Sequence, residues 1–212
     1  IPYLVLARKW RPQLFEEVVG QRHITQTLQN AISQKRVAHA FLFTGARGVG
    51  KTSSARILAK ALNCEEGLRT NPCNQCTNCQ EVAHGTSMDV IEIDGASNRG
   101  IDEIRELREN VRYTPAKSRY KIYIIDEVHM LTKEAFNALL KTLEEPSADS
   151  LIILVTANVY ALLPTVISRC QLVRFISFGA QKLTALLVQE HHIPPEQARL
   201  IASLSEGSPG RA

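Results

Sequence analysis

The sequence predicts an α/β protein: a parallel sheet with helices on both faces, followed by a small all-helical piece. Three observations carry that expectation. Short apolar runs of strand length alternate with segments of helical period, as in strands joined by helical crossovers. The run at 120–126 is nearly continuously apolar, as a strand covered on both faces should be. A glycine-rich turn separates the first apolar run from the helix that follows it.

Residues 1–20 are aromatic and basic (Tyr3, Arg8, Lys9, Trp10, Arg11, Pro12, Phe15) and end in Val18-Val19-Gly20-Gln21. A helical pattern follows over 23–35, with Ile24, Leu28, Ala31 and Ile32 on one face. Ala40-Phe41-Leu42-Phe43 reads as the first strand, and 53–62 as the helix beyond the turn. A cysteine-rich insert occupies 63–79, and a short helix runs on to residue 83. The second strand is expected over 88–94 and a helix over 100–111, through Ile101, Ile104, Leu107 and Val111. The third strand, 120–126, precedes a helix over 133–144 that Pro146 halts. Strands over 151–156 and 172–178 complete the sheet, and helices near 182–190 and 195–205 form the tail. The expected division is therefore an α/β domain over 1–178, with the cysteine-rich module at about 63–80, and a small helical domain over 179–212.

With 212 residues, 44% of them hydrophobic, the chain can bury a real core. No apolar run approaches the roughly 18 residues a membrane span needs, and no basic-then-apolar leader precedes a cleavage site. A soluble cytoplasmic protein without a membrane partner is the expectation. The net charge of +4 is compatible with a polyanionic partner and equally with an ordinary basic protein.

Gly45-Ala46-Arg47-Gly48-Val49-Gly50-Lys51-Thr52 fits the phosphate-loop pattern G-x-x-x-x-G-K-[ST], with a strand before it and a helix after it. Glycines let successive N–H groups face inward, and the following helix, beginning near Ser53, presents its positive end to the same spot. Lys51 supplies charge for the β- and γ-phosphates, and the Thr52 hydroxyl can sit on Mg²⁺. Asp126 and Glu127 lie at the carboxyl end of the third strand, where ligand sites of α/β sheets lie. Asp126 suits Mg²⁺; Glu127 can polarise an attacking water. Thr156 and Asn158, ending the fourth strand, are alternative candidates for contacting the γ-phosphate or the water. Arg169, in Ser168-Arg169-Cys170, could act on its own nucleotide or on that of a neighbouring subunit.

Four of the five cysteines lie together: Cys64, Cys73, Cys76 and Cys79. Four thiolates are the complement of a closed tetrahedral Zn²⁺ site, structural because no position remains for water. So polar an insert cannot build its own core, and metal coordination would supply its folding energy. An iron–sulfur cluster and free thiols are the competing readings, and nothing else here points to redox work.

The phosphate loop, Asp126-Glu127, the polar strand end and Ser168-Arg169-Cys170, in that order, resemble the clamp-loader branch of the AAA+ ATPases. Ala7-Arg8-Lys9-Trp10-Arg11-Pro12, Val19-Gly20-Gln21, the four cysteines, Asp126 to Leu131 and Asn137 to Pro146 are similar to the tau/gamma ATPase subunits of bacterial DNA polymerase III. The resemblance covers nearly the whole chain. It implies an AAA+ fold with a zinc insert and a helical lid, binding ATP/ADP, Mg²⁺ and Zn²⁺. It also implies a motor in a five-subunit arc, with delta, delta-prime and further copies of itself, that opens the sliding clamp and sets it on primed DNA. Arg169 would then reach the ATP of the adjacent subunit. Ala7, Arg8, Trp10, Arg11, Pro12 and Val19 would surround the adenine and ribose. The family carries a γ-phosphate-sensing arginine directly after Gly-Ser-x, whereas here Gly207-Ser208-Pro209 is followed by Gly210 and only then Arg211. A third, collar-forming domain is expected beyond residue 212. DNA contact is expected from exposed cations, with Arg99, Arg105 and Lys133 as candidates and solvated helix faces as the plain alternative. A nucleotide-binding stator and another AAA+ remodeller are the alternative functions. Intact Lys51, Thr52, Asp126 and Glu127 disfavour the first; the cysteines and the Ser-Arg-Cys segment disfavour the second.

Overall fold

The computed structural model describes residues 11–97, 113–205 and 207–211, together with 104, 107, 109 and 111. Ala7, Arg8, Lys9, Trp10, Arg99, Ile101 and Arg105 lie outside the described residues, as does the side chain of Arg211. Among the described residues five strands form one parallel sheet: β1 (Ala40–Thr44), β2 (Val90–Asp94), β3 (Lys121–Asp126), β4 (Ser150–Thr156) and β5 (Gln171–Arg174). Their spatial order is β2-β3-β4-β1-β5. The helices are α1 (Arg22–Ser33), α2 (Lys51–Asn63), α3 (Thr77–His84), α4 (Lys133–Glu144), the one-turn α5 (Pro164–Ile167), α6 (Ala180–His191) and α7 (Pro195–Leu204). No helix among the described residues is long and apolar enough to cross a membrane.

The central strands β3, β4 and β1 are apolar almost throughout because both faces are covered, whereas the edge strands expose Glu92 and Asp94 on β2 and Gln171 and Arg174 on β5. Phe41 and Phe43 of β1 join α1 and α2 in one core, with Ile122, Ile124, Ile153 and Val155 from the neighbouring strands. Ala40 and Leu42, pointing the other way, join Tyr123, Ile125, Ile152 and Leu154 under α4. Ile104 and Leu107, which are helical, and Val111 are buried in this second core, where the helix between β2 and β3 is expected. A third cluster (Phe178, Leu183, Leu187, Ala198, Ala202) holds α6 and α7 together, with Val19 packed on it.

The ends of α1, α2, α4, α6 and α7 agree with the sequence pattern to within three residues, while those of the helix expected over 100–111 lie outside the described residues. Thr132 caps α4, its side chain accepting from the Ala135 N–H. Two strands are shorter than expected, and in both cases a side chain takes over backbone hydrogen bonding. β5 ends at Arg174, because the buried Gln21 amide donates to the Ile176 carbonyl (2.7 Å) and accepts from the Ile176 N–H (3.2 Å). β2 starts at Val90, because Asp89 turns its carboxylate onto the backbone at 116–118.

Candidate nucleotide site and four-cysteine centre

The loop from β1 to α2 is shaped by glycine. Gly45 (φ 143°), Gly48 (φ 75°) and Gly50 (φ 96°) all adopt positive φ, which L side chains rarely tolerate. At Gly45 space forbids a side chain as well, since a Cβ would stand 2.4 Å from the Phe175 carbonyl oxygen. No side chain caps the first turn of α2, so its amides stay available to an anion. Lys51 Nζ is buried inside the loop and donates to the carbonyl oxygens of Gly45 (2.8 Å) and Ala46 (2.7 Å). Burial lowers its pKa, Asp126 and Glu127 raise it, Arg47 lowers it, and the net shift is downward. The glycine conformations, the uncapped turn and the enclosed ammonium together fit a polyphosphate. At the loop's apex Gly210 donates to the Gly48 carbonyl (3.1 Å), so the short turn Pro209–Arg211 after α7 rests on the phosphate loop.

The order of the strands sets the rest of the site. β4 lies between β1 and β3, so Thr156 stands between the phosphate loop and the acidic pair. The Thr52 hydroxyl donates to Asp126 Oδ2 at 2.6 Å, placing two oxygen ligands suited to Mg²⁺ at the helix start and the strand end. Glu127 has φ 45°, left-handed and uncommon outside glycine. Gly95 permits the close passage: a Cβ there would come within 2.9 Å of the Glu127 carbonyl oxygen. Glu127 Oε1 accepts from Arg47 Nε (2.9 Å), while Oε2 is buried without a hydrogen-bond partner, 3.5 Å from His129 Nδ1.

Thr156 is fully buried and its Oγ1 lies 3.0 Å from His129 Nδ1. Asn158 turns its side chain elsewhere, accepting from the Tyr160 N–H in the next turn. His129 thus links Glu127 to Thr156. In the sequence it was merely one member of the run from Asp126 to Leu131; the contact that gives it a role comes from another strand. Arg169 is partly exposed and paired within the chain. Its guanidinium donates to Glu144 Oε1 (2.7 Å) and to the Thr165 carbonyl (2.8 Å) on the surface. Lys133 is exposed at the start of α4. Ser53 lies in the first turn of α2; Arg11, Pro12 and Val19 lie on the segment leading into α1.

The four cysteines converge. Their sulfur atoms all lie within 4.8 Å of one another, and Cys73 and Cys79 Sγ are 3.9 Å apart. A tetrahedron of Zn–S bonds about 2.3 Å long has edges of about 3.8 Å, so the donor set fits zinc. A disulfide would need sulfurs about 2 Å apart. Cys64 caps the end of α2 and Cys76 the start of α3, so the module is a bridge between two core helices. Burial pushes the Cys73 thiol up, but hydrogen bonds from the Cys76 and Gln75 amides outweigh it and bring it down to about 7. Burial raises Cys64 and Cys79, a cost that a cation among the sulfurs would offset.

Residues 20–178 match the family described as "DNA polymerase III, delta subunit". The chain belongs to that family. Among relatives, it is 50% identical over 210 residues to the DNA polymerase III subunit tau of Bacillus subtilis, covering 97% of this chain and 37% of the relative. It is 48% identical over 211 residues to the Escherichia coli tau subunit, covering 97% and 33%. With the gamma subunit of Buchnera aphidicola from Acyrthosiphon pisum the identity is 48% over 185 residues, covering 87% and 51%. The tau/gamma resemblance drawn from the sequence is borne out. The chain spans about a third of the length of the two tau relatives. Among solved structures, the Thermotoga maritima RuvB branch migration motor superposes with a TM-score of 0.65 at 18% identity, over 95% of this chain and 62% of that one. A DNA polymerase III gamma subunit-related protein from the same organism gives 0.51 at 24% identity, over 87% and 58%. At such identities the likeness is one of fold.

Proposed function

We propose that this chain is the ATP-driven motor part of a replicative clamp-loader subunit. It would use ATP binding and hydrolysis, with delta, delta-prime and further copies of itself, to open a sliding clamp and load it on primed DNA. The observation that carries the reading is the Thr52–Asp126 contact of 2.6 Å beside the enclosed Lys51, with Glu127 one residue further on. A loop of that shape without the acidic pair would bind and do no more.

In this reading the amides of 45–51 hold the triphosphate, and Lys51 moves its ammonium from the loop carbonyls to the β- and γ-oxygens. Thr52 and Asp126 would hold Mg²⁺, which supplies charge neutralisation across the terminal phosphates. Glu127 orients the attacking water, and its bond to Arg47 must loosen for it to do so. Thr156, steadied by His129, faces the γ-phosphate; Asn158 completes the turn. Arg169, held by Glu144 on the surface, would leave that partner to serve the ATP of a neighbouring subunit. By the motif resemblance, Arg11, Pro12 and Val19, with Ala7, Arg8 and Trp10, would surround the adenine and ribose, and residues 179–212 would form the lid to which Arg211 belongs. Zn²⁺ on the four cysteines is structural.

ATP turnover by the chain alone, and then with partner subunits, clamp and primed DNA, tests this. Slow turnover alone and strong stimulation in the mixture are expected, both lost with Lys51→Ala. Arg169→Ala should keep nucleotide binding and lose the stimulation; loss of binding by the isolated variant would overturn the role in trans.

A further inference from the structure

Lys60 lies two turns beyond the phosphate loop on α2 and is 2% exposed. A buried ammonium is costly unless every proton is used. Here all three have acceptors: the Gln13 carbonyl (3.0 Å), Gln13 Oε1 (2.8 Å) and Asn74 Oδ1 (2.6 Å). The acceptors come from two separate segments. Asn74, at φ 58°, is the turn residue between Cys73 and Cys76, so its side chain reports how that turn is wrapped. Gln13 belongs to the N-terminal segment. Its own amide donates to the Arg11 carbonyl (3.0 Å), and its N–H to Glu17 Oε2 (2.6 Å).

That segment runs back to the nucleotide site. Phe15 is buried in the core, and Val18 Cγ1 sits 3.3 Å from where a Cβ on Gly50 would stand, at the first turn of α2. A second tie parallels the first, with Asn71 Nδ2 donating to Glu16 Oε1 (3.1 Å). The cysteine turn, the segment beside the phosphate loop and the loop's own helix therefore meet at one ammonium. A methionine would fill the space without the cost of burying a charge. What lysine adds is a directed link that joins both segments to the helix of the phosphate loop.

We propose that Lys60 is a positioning residue that makes metal occupancy of the four-cysteine centre and nucleotide binding at the phosphate loop depend on each other. A metal fixes the turn that presents Asn74. Asn74 and Gln13 then hold the segment 13–18 against Gly50, which shapes the mouth of the nucleotide site. Because such dependence is reciprocal at equilibrium, bound nucleotide tightens metal binding by the factor with which metal tightens nucleotide binding. The proposal rests on the nucleotide and zinc readings above.

The test measures Zn²⁺ affinity by competition with a chromophoric chelator, with and without saturating ADP and Mg²⁺. In the unaltered protein the nucleotide should raise Zn²⁺ affinity roughly fivefold or more, the lower end of ordinary coupling between sites. In Lys60→Met the factor should fall to about one, while metal and nucleotide each still bind. Asn74→Gly keeps the left-handed turn and removes only the acceptor, so it should do the same. It decides the matter should Lys60→Met fail to fold. A lysine that only stabilises the fold would lower the melting temperature and leave the factor unchanged, and that result overturns the proposal. So does the absence of any nucleotide effect in the unaltered protein that binds both ligands. Failure of that protein to take up nucleotide, or to take up zinc, would instead overturn the corresponding reading of the site, and this proposal with it.

Discussion

Replacing Asp89 by asparagine removes one of the most heavily used acceptors in the fold while keeping its shape. The side chain is 1% exposed and accepts from the N–H groups of Ala116 (2.7 Å, to Oδ1), Lys117 (3.0 Å) and Ser118 (2.9 Å, both to Oδ2). Asparagine offers one acceptor oxygen, so at least one of these part-buried donors loses its partner. At about 1–3 kcal/mol for an orphaned group, the expected loss is roughly 1–3 kcal/mol. For a chain of this size that is a fall of roughly 2–12 °C in melting temperature. The pH dependence has a definite sign. Burial raises the Asp89 pKa, but the amides of Ala116, Lys117 and Ser118 lower it more, so the folded value lies below the unfolded one of about 3.9. The carboxylate's contribution is complete above pH of about 4 and is lost as pH falls through the folded pKa; Asp89→Asn should lack that acid-side loss. Urea or thermal unfolding between about pH 3 and 7 measures both effects. A variant within about 0.5 kcal/mol of the parent at neutral pH would refute the reasoning.

Gly45→Ala should destabilise the fold by at least about 1–3 kcal/mol, because the strained φ and the 2.4 Å approach to Phe175 O act together. It should also weaken nucleotide binding; an unchanged melting curve would contradict this. Purified protein should carry one zinc per chain, lost with Cys73→Ser, and metal analysis finding zinc in fewer than about half the molecules would contradict a single structural site.

The sheet was legible because every strand in it contributes to a core on at least one face, so its apolar runs survive as runs. The phosphate loop was legible for a different reason. Its shape rests on three glycines within six consecutive positions, Gly45, Gly48 and Gly50, so a local pattern reveals it. The cysteine cluster was legible because four of the five cysteines fall within sixteen positions, and the fold brings their sulfur atoms within 4.8 Å of one another. What escaped the sequence depends on partners far along the chain. The apolar residues Phe175 and Phe178 extend the pattern of β5, yet the backbone at Ile176 is claimed by Gln21, 155 positions away. Asp89 read as part of a strand because its three amide donors lie 27 to 29 residues on. His129 acquires its place only from Thr156 on a neighbouring strand. Lys60 read as one more helix residue until the Gln13 and Asn74 acceptors were placed beside it.

Calorimetric titration of the folded, metal-loaded protein with ATP, in the presence and absence of Mg²⁺, tests the central claim most directly. The account predicts uptake of one nucleotide per chain, tighter with Mg²⁺, and weakened at least about thirtyfold by Lys51→Ala, which removes a charged partner worth about 2 kcal/mol or more. No detectable uptake with Mg²⁺ present, by protein whose melting transition is intact, would contradict it.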